Sequence, residues 1–288
     1  MGAGARDTLQ GGATLAGHRL IKPLGQGAQS RVFLAEHLAS GQVVALKVAA
    51  LGNAESDSHS RQTFLQAARL GRELTHPHIV AIQDAGIEGD LAWLRMEAVP
   101  GSDLSRYTRT PRLLPEPLVL KVADKVALAL AHAHRQGVVH RDLKPANVLV
   151  DWPTDTVKLA DFGLARTAGA MQTGTGIVLG TPAYMAPEQL AGALPSAATD
   201  LYALGVLLFE LLAGRLPHEG RNMGELLQQV AHQPAPQLIG LRSEWPSPQG
   251  HQLSALVARL LAKLPSHRPG DAAGVAVELQ QLWGDWPG

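Results

Sequence analysis

The run His140-Arg141-Asp142-Leu143-Lys144-Pro145-Ala146-Asn147 sets a carboxylate two residues before a lysine and five before an asparagine. That spacing on one loop suits transfer of a phosphoryl group. Asp142 can orient an attacking hydroxyl and accept its proton, Lys144 can neutralise charge on the transferring group, and the amide oxygen of Asn147 can ligate a hard cation. At about 5% usage per residue type, chance would place these five residues at their offsets in about 1 of 10⁴ chains this long. A polar turn of no consequence is therefore a poor account.

Asp161-Phe162-Gly163 follows fourteen residues after Asn147 and supplies a second cation ligand with a packing anchor beside it. Upstream, Leu24-Gly25-Gln26-Gly27-Ala28-Gln29-Ser30-Arg31-Val32 bridges two expected strands, and its glycines let backbone amides approach phosphate closely. Ser30 stands where a third glycine would complete the usual phosphate loop. Ala45-Leu46-Lys47, on the next strand, offers a cation to the same phosphates.

These residues need elements to position them. Residues 1–16 read as a flexible tail. From residue 17 to 97 the pattern is strand-rich: Arg19–Leu24, Arg31–Glu36, Val43–Val48, Ile79–Asp84 and Leu91–Met96, with one helix over Ser60–Leu74. Pro100-Gly101 closes a hinge over 98–101. Residues 102–283 are then mainly helical. Val119, Val122, Val126, Ala129, Leu130 and Ala133 recur at helical spacing, and Gly137 stops that helix. Val148–Val150 and Val157–Ala160 form a hairpin. Helices follow near Ala198–Ala213, Met223–His232, Leu253–Lys263 and Ala272–Trp283, before a short end at 284–288. The fold class is α+β: a small strand-rich lobe, a larger helical lobe and a cleft between them where a ligand would bind.

Composition agrees. In 288 residues, 25 Lys and Arg balance 25 Asp and Glu, so no broad charge field draws nucleic acid or anionic lipid. There is no cysteine, which removes disulfides, thiolate zinc sites and cysteine nucleophiles. The start lacks a signal-peptide core, and Arg6 stands where a myristoylation signal wants Ser or Thr. The longest apolar run, Leu201–Ala213, carries Glu210 and is shorter than the ~20 residues of a membrane span. A cytoplasmic protein is the expectation.

Taken together, the motifs resemble those of the eukaryotic-like Ser/Thr protein kinases of bacteria, over His18 to Trp283. Ala186-Pro187-Glu188, the preceding Gly180-Thr181-Pro182, Asp200 and Arg268 extend the likeness. The resemblance implies a bilobal kinase that moves the γ-phosphoryl group of ATP, bound with Mg2+ (or Mn2+), to protein Ser or Thr. It makes Asp142, Lys144, Asn147, Lys47 and Thr181 catalytic and assigns the metal to Asn147 and Asp161. Nucleotide would lie against residues 24–32, Ala45, Lys47, Met96 as gatekeeper, Glu97 and Val99 of the hinge, Leu149 and Asp161, with Val32 over the adenine. It further implies a Glu188–Arg268 ion pair and Thr181 close to Asp142 and Lys144. Because Arg141 precedes the catalytic Asp, Thr173 and Thr175 are candidate phosphorylation sites whose phosphate would meet Arg141 and Arg166, through a transient dimer.

The pattern breaks on the first helix. The carboxylate that should pair with Lys47 falls at Ala67. Gln66 beside it is neutral, and Glu73 lies about 240° further around. Gly71 stands where a large apolar residue is usual. Lys47 is then positioned another way, by Asp161 or Gln66, or the chain is a nucleotide-binding pseudokinase with little turnover. A small-molecule phosphotransferase is disfavoured by Ala186-Pro187-Glu188. The twelve histidines show no metal-site spacing. His140 reads as a core residue, and His218, where relatives carry Phe, as altered packing. Arg106, Arg109 and Arg112 read as a solvated edge or a docking patch for an acidic substrate. Trp283 and Trp286 read as anchors of the C-terminus on the larger lobe, or as the mark of a cut in a longer chain.

Overall fold

The structure, a computed structural model, describes residues 9–27, 30–51, 57–162, 182–240 and 248–286. The chain divides into two compact units, the first boundary falling between Pro100 and Gly101.

The first unit is built on a six-stranded antiparallel sheet. Its strands are β1 (Thr14–Leu15), β2 (His18–Gln26), β3 (Ser30–His37), β4 (Val43–Ala50), β5 (Ile82–Glu88) and β6 (Leu91–Glu97), in the order β1-β2-β3-β4-β6-β5. Successive side chains on a strand alternate between faces. On one face, Leu15, Leu20, Phe33, Ala35, Val44, Leu46 and Val48 close a core. The register pairs Lys47 with Val32 and Leu94, and Met96 with Ala45 and Ile82. Partners across strands share a face, so Lys47, Ala45, Met96 and Ile82 lie opposite that core. Helix α1 (Asp57–Glu73) covers this second face, turning Phe64, Ala68 and Gly71 inward. That i, i+4, i+7 stripe is how a helix buries one side. The helix comes so close that a Cβ at Gly71 would meet Ile82 Cδ1 at 2.7 Å. The missing side chain at Gly71 is thus matched by Ile82.

Two expectations need correction here. Thr14–Leu15 is not part of a loose tail: it pairs with His18 and Arg19, and Leu15 is buried in the core. Strand β5 starts at Ile82 rather than Ile79, because Ile79 N–H turns back to the His76 carbonyl at 3.1 Å. Ala81 is then clamped, its N–H donating to Glu97 Oε1 at 2.7 Å and its carbonyl accepting from Glu97 N–H at 3.0 Å.

The second unit carries a small sheet, β7 (Ser102–Asp103), β8 (Val148–Asp151) and β9 (Thr156–Leu159), and six helices among the described residues. These are α2 (Glu116–Arg135), α3 (Pro187–Leu190), α4 (Ala197–Ala213), α5 (Met223–His232), α6 (Pro248–Leu260) and α7 (Ala272–Gly284). Helix α4 is apolar all round because it runs through the core, with Leu204, Leu207, Leu208 and Phe209 fully buried. Each such side chain contributes about 1.5–3 kcal/mol. Gly214, at φ 71°, ends α4 in the left-handed conformation that a Cβ resists, and Gly137, at φ 73°, does the same beyond α2. Trp283 on α7 lies under the Lys121 ammonium, 5.1 Å from the ring centre, tying the C-terminal helix to α2. Among the described residues, no helix is long and apolar enough to cross a membrane.

Candidate active site

The loop between α2 and β8 is held from below by a carboxylate of the core helix. Asp200, 1% exposed, accepts the backbone N–H groups of His140 and Arg141, each at 2.8 Å, and meets His134 Nε2 at 2.8 Å. Buried charge is tolerated only when it is satisfied in this way. Arg141 consequently sits at φ 71°, a conformation costing about 1–3 kcal/mol for a side chain other than glycine. His140 is fully buried, bonds the Ala160 carbonyl through Nε2 at 2.8 Å and stacks edge-on against Phe162 at 4.7 Å. It packs the core.

On that base the candidate groups converge. Lys144 Nζ donates to Asp142 Oδ2 at 2.8 Å. Asn147 Nδ2 donates to the Asp142 carbonyl at 2.7 Å and to its Oδ2 at 3.2 Å. The carboxamide is therefore turned so that its oxygen faces away from Asp142. Ala160 N–H bonds the Asn147 carbonyl at 2.8 Å and Val148 pairs with Leu159, which brings Asp161 to the same end of the β8–β9 hairpin as Asn147. Asp161 is half-buried at φ 66°, a second strained position at the site. One amide oxygen and one carboxylate suit a magnesium ion that completes its shell with phosphate and water. Leu149, half-buried, lies on β8 between Asp103 and Lys158.

In the first unit, Lys47 is 8% exposed, and Ala45 and Met96 are buried on the same sheet face. Val32 pairs with Gly25 and with Lys47. Gly27 N–H bonds the Ser30 carbonyl at 2.8 Å across the turn. A Cβ at Gly25 would touch nothing within 4 Å, so neither packing nor a left-handed backbone demands glycine there. Leu24 is exposed, Gln26 is exposed, and Ala28 and Gln29 lie outside the described residues. Arg31 corrects an expectation: its Nη1 donates to the Leu9 carbonyl at 2.8 Å and its guanidinium lies 4.8 Å from the Phe33 ring, on the face opposite Lys47. Alternation along β3 explains the difference. Gln66 is exposed, so it does not replace the missing carboxylate beside Lys47; Glu73 is exposed too, 3.9 Å from Arg69. Ala67 is half-buried.

Glu188 and Arg268 form the expected bidentate pair, at 2.6 and 2.7 Å. Burial would raise the Glu188 carboxyl, but Arg268 and the Thr199 hydroxyl outweigh it and bring it below its ordinary value. His218 is more than altered packing. It is 4% exposed and its Nε2 accepts from Lys263 Nζ at 3.0 Å, while Lys263 also donates to the Val230 carbonyl at 2.7 Å. Sequence reasoning missed the roles of Asp200 and His134, and a short hydrogen bond from the Tyr184 hydroxyl to Glu210. For His134 and Glu210 the only signal was a polar residue inside an apolar run, while Asp200 stood among the residues that carried the likeness without a stated contact. Arg141, Asp142, Tyr184, Met185, Gln189 and Thr199 line a pocket whose other walls include Asp200 and Ala203. Arg166, Thr173, Thr175 and Thr181 lie outside the described residues.

A family model described as "Protein kinase domain" matches residues 18–282. The chain is 31% identical to Serine/threonine-protein kinase PrkC of Bacillus subtilis over 91% of its length and 40% of PrkC. It is 37% identical to Serine/threonine-protein kinase pkn2 of Myxococcus xanthus over 90% of its length and 31% of pkn2. For PknF of Mycobacterium tuberculosis the identity is 36%, over 90% of this chain and 55% of PknF. The chain thus spans about a third to a half of these relatives. A crystal structure of Rad53 1-466 in complex with AMP-PNP superposes with TM-score 0.75 at 25% identity, covering 93% of this chain and 65% of that one. With that match across nearly its whole length, the chain belongs to the protein kinase domain family, and its relatives are the Ser/Thr protein kinases of bacteria.

Proposed function

We propose that this domain transfers the γ-phosphoryl group of Mg-ATP to Ser or Thr hydroxyls of proteins, with Asp142 receiving the hydroxyl proton. The observation that carries this reading is Asp142 flanked by Lys144 and Asn147 on a loop whose backbone is fixed by Asp200. Phosphoryl transfer asks mainly for positioning and charge stabilisation, and a rigid base serves both. Lys144 stabilises charge on the moving group. Asn147 and Asp161 hold the metal, which neutralises phosphate charge when bound. Gly25, Gly27 and Lys47 position the phosphates, while Val32, Ala45, Met96, Glu97, Val99 and Leu149 receive the base and hinge contacts.

Ala67 means that Lys47 works without the usual helix carboxylate, and close seating of α1 through Gly71 and Ile82 supports its place on the sheet. We include autophosphorylation of Thr173 or Thr175 in a transient dimer, with Arg141 receiving the phosphate. The test is ATP-dependent labelling of a generic Ser/Thr substrate beside the Asp142→Asn variant. Label on sugars or aminoglycosides without labelled protein would reassign the activity.

A further inference from the structure

Arg106, Arg109 and Arg112 are exposed on the segment that enters α2, and their side chains make no ion pair among the described residues. Arg112 N–H turns back to the Arg109 carbonyl at 2.9 Å, which folds this stretch into a tight bend. Leu113, next in line, packs on the end of α4, where a Cβ at Gly214 would lie 3.2 Å from its Cδ1. That contact brings the exposed Arg215 to the same edge. The acidic groups there include Asp103, whose carboxylate accepts the Ser105 N–H at 2.8 Å, and half-buried Glu116 at the start of α2. Exposed Glu219 caps Leu216 N–H at 3.4 Å, and Glu210 is 9% exposed and bonded to Tyr184. Arg109 is near enough to pull Glu210 toward ionisation against the effect of burial.

Side-chain contacts run from this edge toward Asp142. Tyr184, which bonds Glu210, also lines the pocket that holds Asp142. In a chain whose formal charge is zero, four arginines on one edge are a local field rather than part of a general one. We propose that Arg106, Arg109, Arg112 and Arg215 form a docking surface for an acidic segment of the protein substrate, selecting phosphoacceptors flanked by Asp or Glu. This rests on the proposed kinase activity and names its substrate class. Continuity with the Asp142 pocket favours a peptide over other polyanions. Exposed charges of this kind act through encounter and salt-sensitive affinity more than through the chemical step.

The experiment pairs one phosphoacceptor peptide flanked by Glu with its Gln counterpart, tested on the whole chain and on the Arg106→Ala/Arg109→Ala/Arg112→Ala variant. The expected result is a preference of about tenfold in kcat/KM for the Glu peptide, expressed in KM, shrinking with added salt, and a ratio near one in the variant. Fluorescence anisotropy of the same peptides on Asp142→Asn reads binding without turnover. Arginine-dependent binding of the Glu peptide there, with no transfer by the parent chain, would keep the docking surface and defeat the kinase reading. Equal handling of both peptides, a preference that survives in the variant, or binding of RNA or phosphatidylserine vesicles but not the Glu peptide would overturn the proposal.

Discussion

Asp200 Oδ1 accepts the backbone N–H of Arg141 at 2.8 Å, and Arg141 stands there in the left-handed region at φ 71°. A carboxylate one layer below the site thus determines the backbone path of the residue next to Asp142. Asp200→Asn replaces one acceptor with a donor facing N–H groups. Stability should fall by about 2–4 kcal/mol, since buried hydrogen bonds to a charged group are worth about 1.5–3 kcal/mol each. Activity should fall at least tenfold with KM for ATP nearly unchanged. Urea titration and steady-state kinetics measure the two.

The Glu188–Arg268 pair should behave as a buried ion pair, its arginine side chain wholly enclosed. Arg268→Ala leaves Glu188 uncompensated, and the expected loss is about 3–5 kcal/mol in denaturant unfolding. Because the folded Glu188 carboxyl lies below its unfolded value, its contribution is full above that value. It is lost as pH falls through the folded one.

His218 and Lys263 impose a dependence of the same sign on two other windows. Burial, and then the neighbouring Lys263 charge, lowers His218 to about 4; burial, and then Arg268, lowers Lys263 to about 8. The unfolded chain holds more protons than the folded one from about pH 4 to 6.5 and again from about 8 to 10.5. Stability from these groups therefore rises with pH across both windows. His218→Phe should remove the acid-side rise, read as Tm against pH.

Much of the fold was legible, and the exceptions have physical causes. The apolar runs at Val43–Val48 and Leu201–Ala213 gave β4 and α4 because near-complete burial, from Val44 to Val48 and from Leu201 to Leu212, leaves continuous hydrophobic sequence. The convergence of Asp142, Lys144 and Asn147 was legible because it depends on local spacing within one loop. The work of Asp200 was not, since it bonds residues about sixty positions away. The side of β3 occupied by Arg31 depends on register, which alternation within one strand leaves ambiguous until its partners are known. Leu15 looked like tail because two paired residues make no sequence pattern.

Ala67 marks where the first unit departs from its family's ion pair. Ala67→Glu restores a carboxylate on the helix that covers Lys47's face of the sheet. The expected gain is about tenfold in kcat, because charge and position at the phosphates limit transfer. An unchanged kcat with a shifted Tm would mean that α1 already holds Lys47 without it.

The most direct measurement is intact mass followed by phosphopeptide mapping, after incubating the purified chain with Mg-ATP and a generic Ser/Thr substrate beside Asp142→Asn. The account predicts phosphate on the substrate, and on Thr173 or Thr175, that is absent with the variant. No phosphate with either protein, while ATP still raises the melting temperature, would contradict it and leave a nucleotide-binding domain without transfer.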